Sequence, residues 1–250
     1  MRMKRIDVHC VLGSSASEKL EIASEQELID SLDYYSIDKA IVIHSMARDS
    51  EPISGNKKLL DWTRREDKLI PCFVLSPHYK YKMGWAETEK ILRKEQVRFA
   101  RIYPRLHGFT LHGPHTREIF EMAARLGIHL LIDYSEIVDA GGKDLEIFEI
   151  LLREHPGVNV ILTSVSHRNN MVIYSYLENY PNFYVEFSAY ANMLAYEEAV
   201  QRFGSERLLW GTDMPFRMPG SAITMLSYAD ITMEDKENIA YKNIEKLMKG

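Results

Sequence analysis

At 250 residues, with 46% hydrophobic and 27% charged content, the chain has the make-up of an ordinary soluble domain, and its length suits one α/β barrel. Its 31 Lys and Arg against 36 Asp and Glu give a net charge of -5 with no basic tract, so nothing electrostatic favours a nucleic-acid or membrane partner, and a small molecule is expected instead. Two cysteines, Cys10 and Cys72, are too few for a disulfide framework, and no run reaches the roughly 18 apolar residues of a membrane span, which together predict a cytoplasmic protein.

Short runs rich in β-branched and aromatic residues alternate with longer helical stretches, a βα repeat that predicts a parallel sheet. Eight strands are expected, near Lys4–His9, Lys39–His44, Ile70–Leu75, Arg98–Tyr103, His129–Asp133, Asn159–Thr163, Phe183–Phe187 and Arg207–Thr212. That count predicts a (β/α)8 TIM barrel over residues 1–250, in one domain, followed by a C-terminal helix. Ser24 with Glu27 three residues on fits a capping box ahead of Leu28, Ile29 and Leu32, so the first helix starts there. The stretch from Pro104 to Pro114 is the longest irregular piece; it carries Gly108, Gly113, His107 and His112, with His115 just beyond, and long loops in compact domains are often functional. The helix after it closes on Gly127, and the next stops at His155-Pro156-Gly157. Tyr174, Tyr176 and Tyr180 mark a helix edge that a homo-oligomer could use, although ordinary packing accounts for it more simply. Thr232 is the expected N-cap of the closing segment, whose apolar residues are Ile239, Ile244 and Leu247.

In a parallel βα barrel the strand C-termini and the loops after them form the active face. Of the nine histidines, His9, His44, His78, His107, His112, His115 and His167 fall on that face, against His129 and His155 at the other. Arg101, Tyr103, Asp133, Ser164, Arg168, Glu186, Ser188 and Arg217 fall there too. Strand parity groups His9 with Asp7 and Val11 and turns Cys10 toward the helices, which makes Cys10 a small buried apolar residue and not a nucleophile; Cys72, in mid-strand, reads the same way. Asp133 closes the apolar run Leu130-Leu131-Ile132, and a carboxylate so placed needs a partner: a metal, His9, Arg101 or a backbone amide.

Five segments in order carry a family resemblance. Ile6-Asp7-Val8-His9 with Gly13, Arg98 to Pro104, Pro181 to Ser188, Gly211-Thr212-Asp213-Met214-Pro215, and the closing Asp235 to Leu247 with Asn243 resemble the amidohydrolase superfamily. The resemblance is to the amidohydrolase-related branch, which includes small lactonases and aromatic-acid decarboxylases, and it implies a distorted barrel of that type. The family's usual metal set is two histidines of strand one, one histidine each from strands five and six, and the aspartate of strand eight. Here Val11, Asp133 and Ser164 occupy three of those positions, and only His9 and Asp213 match. An ordinary binuclear zinc site is therefore not expected. A mononuclear site of His9, Asp133 and Asp213, suited to zinc or manganese, stands beside a metal-free site as the two readings.

The resemblance implies a hydrolase acting on a small anionic molecule, carboxylated or a lactone, with Asp213 as acid-base residue and His9 orienting it or binding metal. Arg101 would grip a carboxylate or a developing oxyanion, and Tyr103, His167, Arg168 and Arg217 would add to substrate binding at the same mouth. Two alternatives accompany it: a metal-dependent decarboxylase of an aromatic or unsaturated acid, and a degenerate barrel that only binds a small ligand.

Overall fold

A computed structural model describes residues 2–15, 22–138, 142–190, 192 and 194–249. Eight parallel strands run in chain order around the sheet: β1 (Ile6–Leu12), β2 (Lys39–His44), β3 (Leu69–Leu75), β4 (Phe99–Ile102), β5 (His129–Asp133), β6 (Val160–Thr163), β7 (Phe183–Glu186) and β8 (Leu208–Leu209). Amides of β1 close the ring, Val8 N–H donating to the Trp210 carbonyl (3.2 Å) and Val11 N–H to that of Met214 (2.8 Å). The eight-stranded (β/α)8 barrel expected from the βα repeat is thus the observed fold.

The period of two sorts the strands' apolar residues into two cores. Ile41 and Ile43 of β2 and Leu131 of β5 fill the barrel interior, while Ala40, Val42, Leu130 and Ile132 pack outward under the helices. β1 departs from simple alternation. Ile6 and Val8 belong to the interior, Cys10 and Leu12 to the outer core, and Val11 to the interior again. The register against β2 shifts between Asp7 and Cys10, so this irregularity turns Asp7 away from the parity expected for it while His9 and Val11 still reach the mouth. Cys10 faces the helices as expected, and burial raises its thiol pKa far above the ordinary range.

The helix boundaries obey their caps. Ser24 and Glu27 form the capping box of Glu25–Tyr34, Gly127 ends Pro114–Leu126 in the left-handed conformation (φ 64), and Thr232 accepts the Asp235 amide. Tyr176 is buried among Phe148, Tyr180 and Phe183, which is packing within the chain. Beneath the barrel, Ile244 and Leu247 of the last helix, Asn243–Lys249, join the interior core. Asn243 donates to the carbonyls of Ser205 (2.6 Å) and Leu208 (3.0 Å), and His129 Nε2 donates to that of Leu247 (2.9 Å). With the lower end plugged, the strand C-termini form the accessible mouth. Among the described residues no helix is long and apolar enough to cross a membrane.

Two helices follow β2, Ser45–Asp49 and Pro52–Thr63. They cross at Gly55, where any Cβ would stand 2.1 Å from the Ala47 amide nitrogen, so glycine alone permits the contact. His44 caps the short helix, its Nδ1 accepting the Met46 amide (3.1 Å) and its Nε2–H donating to Glu25 (3.2 Å). Burial lowers the His44 pKa. Cap and glycine together seat Arg48 at the mouth.

Candidate active site

A cavity of about 220 Å³ opens at the strand ends and is lined by His9, Arg101, Asp133, Ser164 and Asp213, with Val11, Arg48, Tyr103, Ser135 and Phe216 around them. Larger hollows exist, such as one of about 290 Å³ between Ile53, Leu60 and Tyr79, but that one lies in the helix layer away from the strand ends.

His9 is held on three sides. Its backbone amide donates to Asp7 Oδ1 (2.9 Å), which also accepts the Thr212 amide (3.0 Å), while Asp7 Oδ2 accepts the Thr212 hydroxyl. Asp7 thereby ties the irregular part of β1 to the end of β8; burial lifts its pKa to about 6 even though these hydrogen bonds favour the ionised form. On the ring, Nδ1–H donates to Glu186 Oε2 (3.2 Å). Glu186 is fully buried and is fixed in turn by the Ser188 amide and by the Ser188 hydroxyl (2.9 Å). A carboxylate can only accept, so it assigns the proton to Nδ1 and leaves Nε2 facing the cavity. There Nε2 lies 3.3 Å from Asp213 Oδ1 and 3.9 Å from Asp133 Oδ1.

A nitrogen lone pair opposite two carboxylates calls for a cation between them, either a proton or a metal ion. Burial and the Arg101 charge disfavour the imidazolium, but Asp213 and Glu186 outweigh them and the His9 pKa is raised. Asp213 is also raised, chiefly by burial. Both partners therefore hold a proton more firmly than free side chains would. Asp213 sits at φ 61 in a turn where the Phe216 amide donates to its carbonyl (2.8 Å), and its Oδ2 accepts from Arg217 Nε (3.3 Å) at the rim. Left-handed backbone at a non-glycine residue carries strain, and such sites concentrate where function over-determines them.

Asp133 is engaged by its neighbours. Its Oδ1 accepts the hydroxyls of Thr163 and Ser164 (3.2 Å) and lies 3.5 Å from Arg101 Nη1. Burial opposes ionisation of Asp133, yet Arg101 and His9 hold its pKa below the usual value. Arg101 is only 2% exposed; it donates to Tyr103 Oη and Thr163 Oγ1 (both 3.2 Å), and its Nε has no partner among the described residues.

The structure brings together His9, Arg101, Tyr103, Asp133 and Asp213 from the expected set, and Arg217 at the rim through Asp213. His167 and Arg168 are exposed on the turn His167–Asn169 and do not line the cavity. Most of the other mouth histidines are occupied: His44 caps a helix, His78 bonds Ser76, His107 Nε2 donates to the Arg48 carbonyl (2.8 Å), and His115 pairs with Glu118. Sequence reasoning missed Arg48. Its guanidinium stacks 4.6 Å over the Phe216 ring, and its Nη1 is buried without a hydrogen-bond partner among the described residues. The His44 cap and the crossing at Gly55 place it, and no local pattern announces that crossing.

Among the described residues no group of three His, Cys, Asp or Glu donors already converges as a metal centre. His9 Nε2 and Asp213 face each other with the His9 tautomer set by Glu186, the outer-shell arrangement that metal-binding histidines use. One nitrogen and one or two carboxylates fit a single divalent ion, with Asp133 joining once it leaves Arg101.

The family model described as Amidohydrolase (Amidohydro_2) matches residues 54–249. No curated protein matches the chain. Among solved structures, 5-carboxyvanillate decarboxylase from Sphingomonas paucimobilis is similar at TM-score 0.76 and 11% identity, covering 99% of both chains. The Novosphingobium aromaticivorans 5-carboxyvanillate decarboxylase, solved with manganese and 4-hydroxy-3-methoxy-5-nitrobenzoic acid, gives TM-score 0.77 and 14% identity over 99% of this chain and 96% of that one. Dihydroxybenzoic acid decarboxylase from a Polaromonas species, with manganese and 2-nitroresorcinol, gives 0.73 and 13% over 99% and 97%. At such identities the likeness establishes the fold alone.

Proposed function

Given that the chain belongs to the Amidohydrolase (Amidohydro_2) family, we propose that it is an enzyme that removes carbon dioxide from a small aromatic or unsaturated acid, with Asp213 and His9 as its acid-base pair. One observation carries this reading: a small cavity in which the guanidinium groups of Arg48 and Arg101 and the rings of Tyr103 and Phe216 surround a His9–Asp213 pair disposed to keep a proton. Arg48 and Arg101 have buried nitrogens without partners among the described residues, which a substrate anion would satisfy. Phe216, already under the Arg48 guanidinium, supplies a face for a planar ring.

When the carbon–carboxylate bond breaks, its electron pair stays on the ring carbon and must take up a proton. A pair with raised proton affinity keeps its proton to higher pH and so has one to give at that step. Glu186 keeps the Nδ1 proton in place and stabilises positive charge on the ring while Nε2 and Asp213 exchange the reacting proton. In place of that shared proton, His9 Nε2 and Asp213 could instead hold a divalent ion, with manganese the choice suggested by two of the neighbours, which would polarise the substrate's oxygens.

Hydrolysis of a lactone is the second reading. The observation favouring it is that Asp213 is 15% exposed and points through Oδ2 to the half-exposed Arg217, so water reaches it from the rim. The experiment is to incubate the protein with manganese and carboxyl-labelled hydroxybenzoates, and in parallel with lactones. Labelled carbon dioxide supports the decarboxylase; lactone opening without it supports the hydrolase. Thermal stabilisation by the acids without turnover of either class would reduce the protein to a binding barrel.

A further inference from the structure

Arg101 is more than a wall of the cavity. It lies against Asp133, the expected ligand that stands further from His9 Nε2 (3.9 Å) than Asp213 does (3.3 Å), and whose Oδ1 also takes the Thr163 and Ser164 hydroxyls and the Arg101 charge. Arg101 is itself anchored by Tyr103 and Thr163 and has a buried Nε without a partner among the described residues. We infer that Arg101 is a built-in cation that competes with a divalent metal ion for Asp133, so that metal and substrate anion bind with positive coupling. The inference rests on the metal-assisted reading above.

The physical basis is a contest between two cations for one carboxylate. A divalent ion at His9 and Asp213 meets the Arg101 charge in a poorly solvated site, where repulsion is weakly screened, and finds the facing oxygen of Asp133 occupied by three donors. An anion taken by Arg101 cancels that charge and releases Asp133 to the ion. Coupling is reciprocal, so the ion tightens the anion by the same factor.

The test is a titration with manganese(II) alone and with saturating benzoate, read by calorimetry or by the resonance of free manganese. Wild type is expected to bind manganese about fivefold or more tightly with benzoate present, within the usual range of coupling. Arg101→Met is expected to bind it about tenfold or more tightly without benzoate, and to lose the benzoate dependence. Arg101→Lys, which keeps the charge, is expected to remain weak. Should methionine not fold, as judged by its melting transition, Arg101→Gln removes the charge and keeps a hydrogen-bonding group.

Manganese affinity indifferent to benzoate in wild type, a charge-removing variant that binds no more tightly, or coupling that survives the variant each overturns the competition while leaving a metal site in place. Failure of every folded form to bind manganese, with or without benzoate, removes the metal reading itself and this inference with it.

Discussion

Replacing Gly211 by alanine isolates the contact on which His9's orientation depends. A Cβ at Gly211 would lie 2.9 Å from Cγ, Cδ and Oε1 of Glu186, where ordinary contact begins near 3.4 Å. The glutamate would have to yield by about 0.5 Å, as the clash is with a side chain that has nowhere to go: Glu186 is fully buried and tied to Ser188. Such a shift carries Oε2, now 3.2 Å from His9 Nδ1, past the limit of a useful hydrogen bond. Overpacking of this size costs about 1–3 kcal/mol, a fall in Tm of roughly 2–12 °C for a chain of this length. Loss of an orienting partner of this kind lowers activity roughly 10–100-fold. Calorimetry and nitrogen-resolved NMR of the His9 ring measure both effects. Gly211 has no positive φ, so the cost is contact and not torsion, and Glu186→Asp in the alanine background should recover part of the stability. A Gly211→Ala protein with unchanged Tm and an unchanged Nδ1–H signal would refute the reasoning.

Glu186→Gln, nearly the same in shape, should lower activity by about 10–100-fold because the amide cannot hold the Nδ1 proton with the same charge, and the His9 pKa measured by NMR should fall. Arg48→Met is expected to raise KM by about tenfold or more with a smaller change in kcat, since its unpaired Nη1 is assigned to binding; a pure kcat effect would reassign it. For pH, Glu118 is informative: burial works against its ionisation, but Lys80, Trp85 and His115 hold its pKa at about 2, below its ordinary 4.5. A depressed carboxylate stabilises the fold above its unfolded pKa and loses that contribution as pH falls toward the folded one. Glu118→Gln should therefore cost about 1 kcal/mol at pH 7, screened as a surface contact is, with the gap in Tm closing as pH drops below 4.5. A gap that is constant from pH 7 to pH 3 would contradict this.

The barrel was legible because its cause is local and repeated. Strands such as Lys39–His44 and His129–Asp133 show their apolar runs plainly, and Ser24, Gly127 and Thr232 mark helix ends by chemistry that acts within a few residues. His9 and Asp213 came together because the first and last strands of a closed sheet must be neighbours. The irregularity of β1 was not legible; it depends on Asp7 turning to Thr212, which brings together opposite ends of the chain. Arg48 was hidden for a similar reason, since its place follows from two helices crossing at Gly55. Glu186 was seen on the right face, but its role needs the distance to His9 Nδ1. Asp133 had four candidate partners, and the structure engages it with Arg101 and two hydroxyls, which parity could not rank.

The central claim is that the His9–Asp213 pair moves the reacting proton, and Asp213→Asn tests it most directly. Asparagine tolerates the left-handed backbone at φ 61, so the turn survives while the proton-carrying group does not. Carbon dioxide release from the acid that the wild type turns over best should fall by about 10²–10⁴-fold, with benzoate still raising the melting temperature of the variant. Release within about threefold of wild type, from a variant that still folds and binds benzoate, would contradict the account.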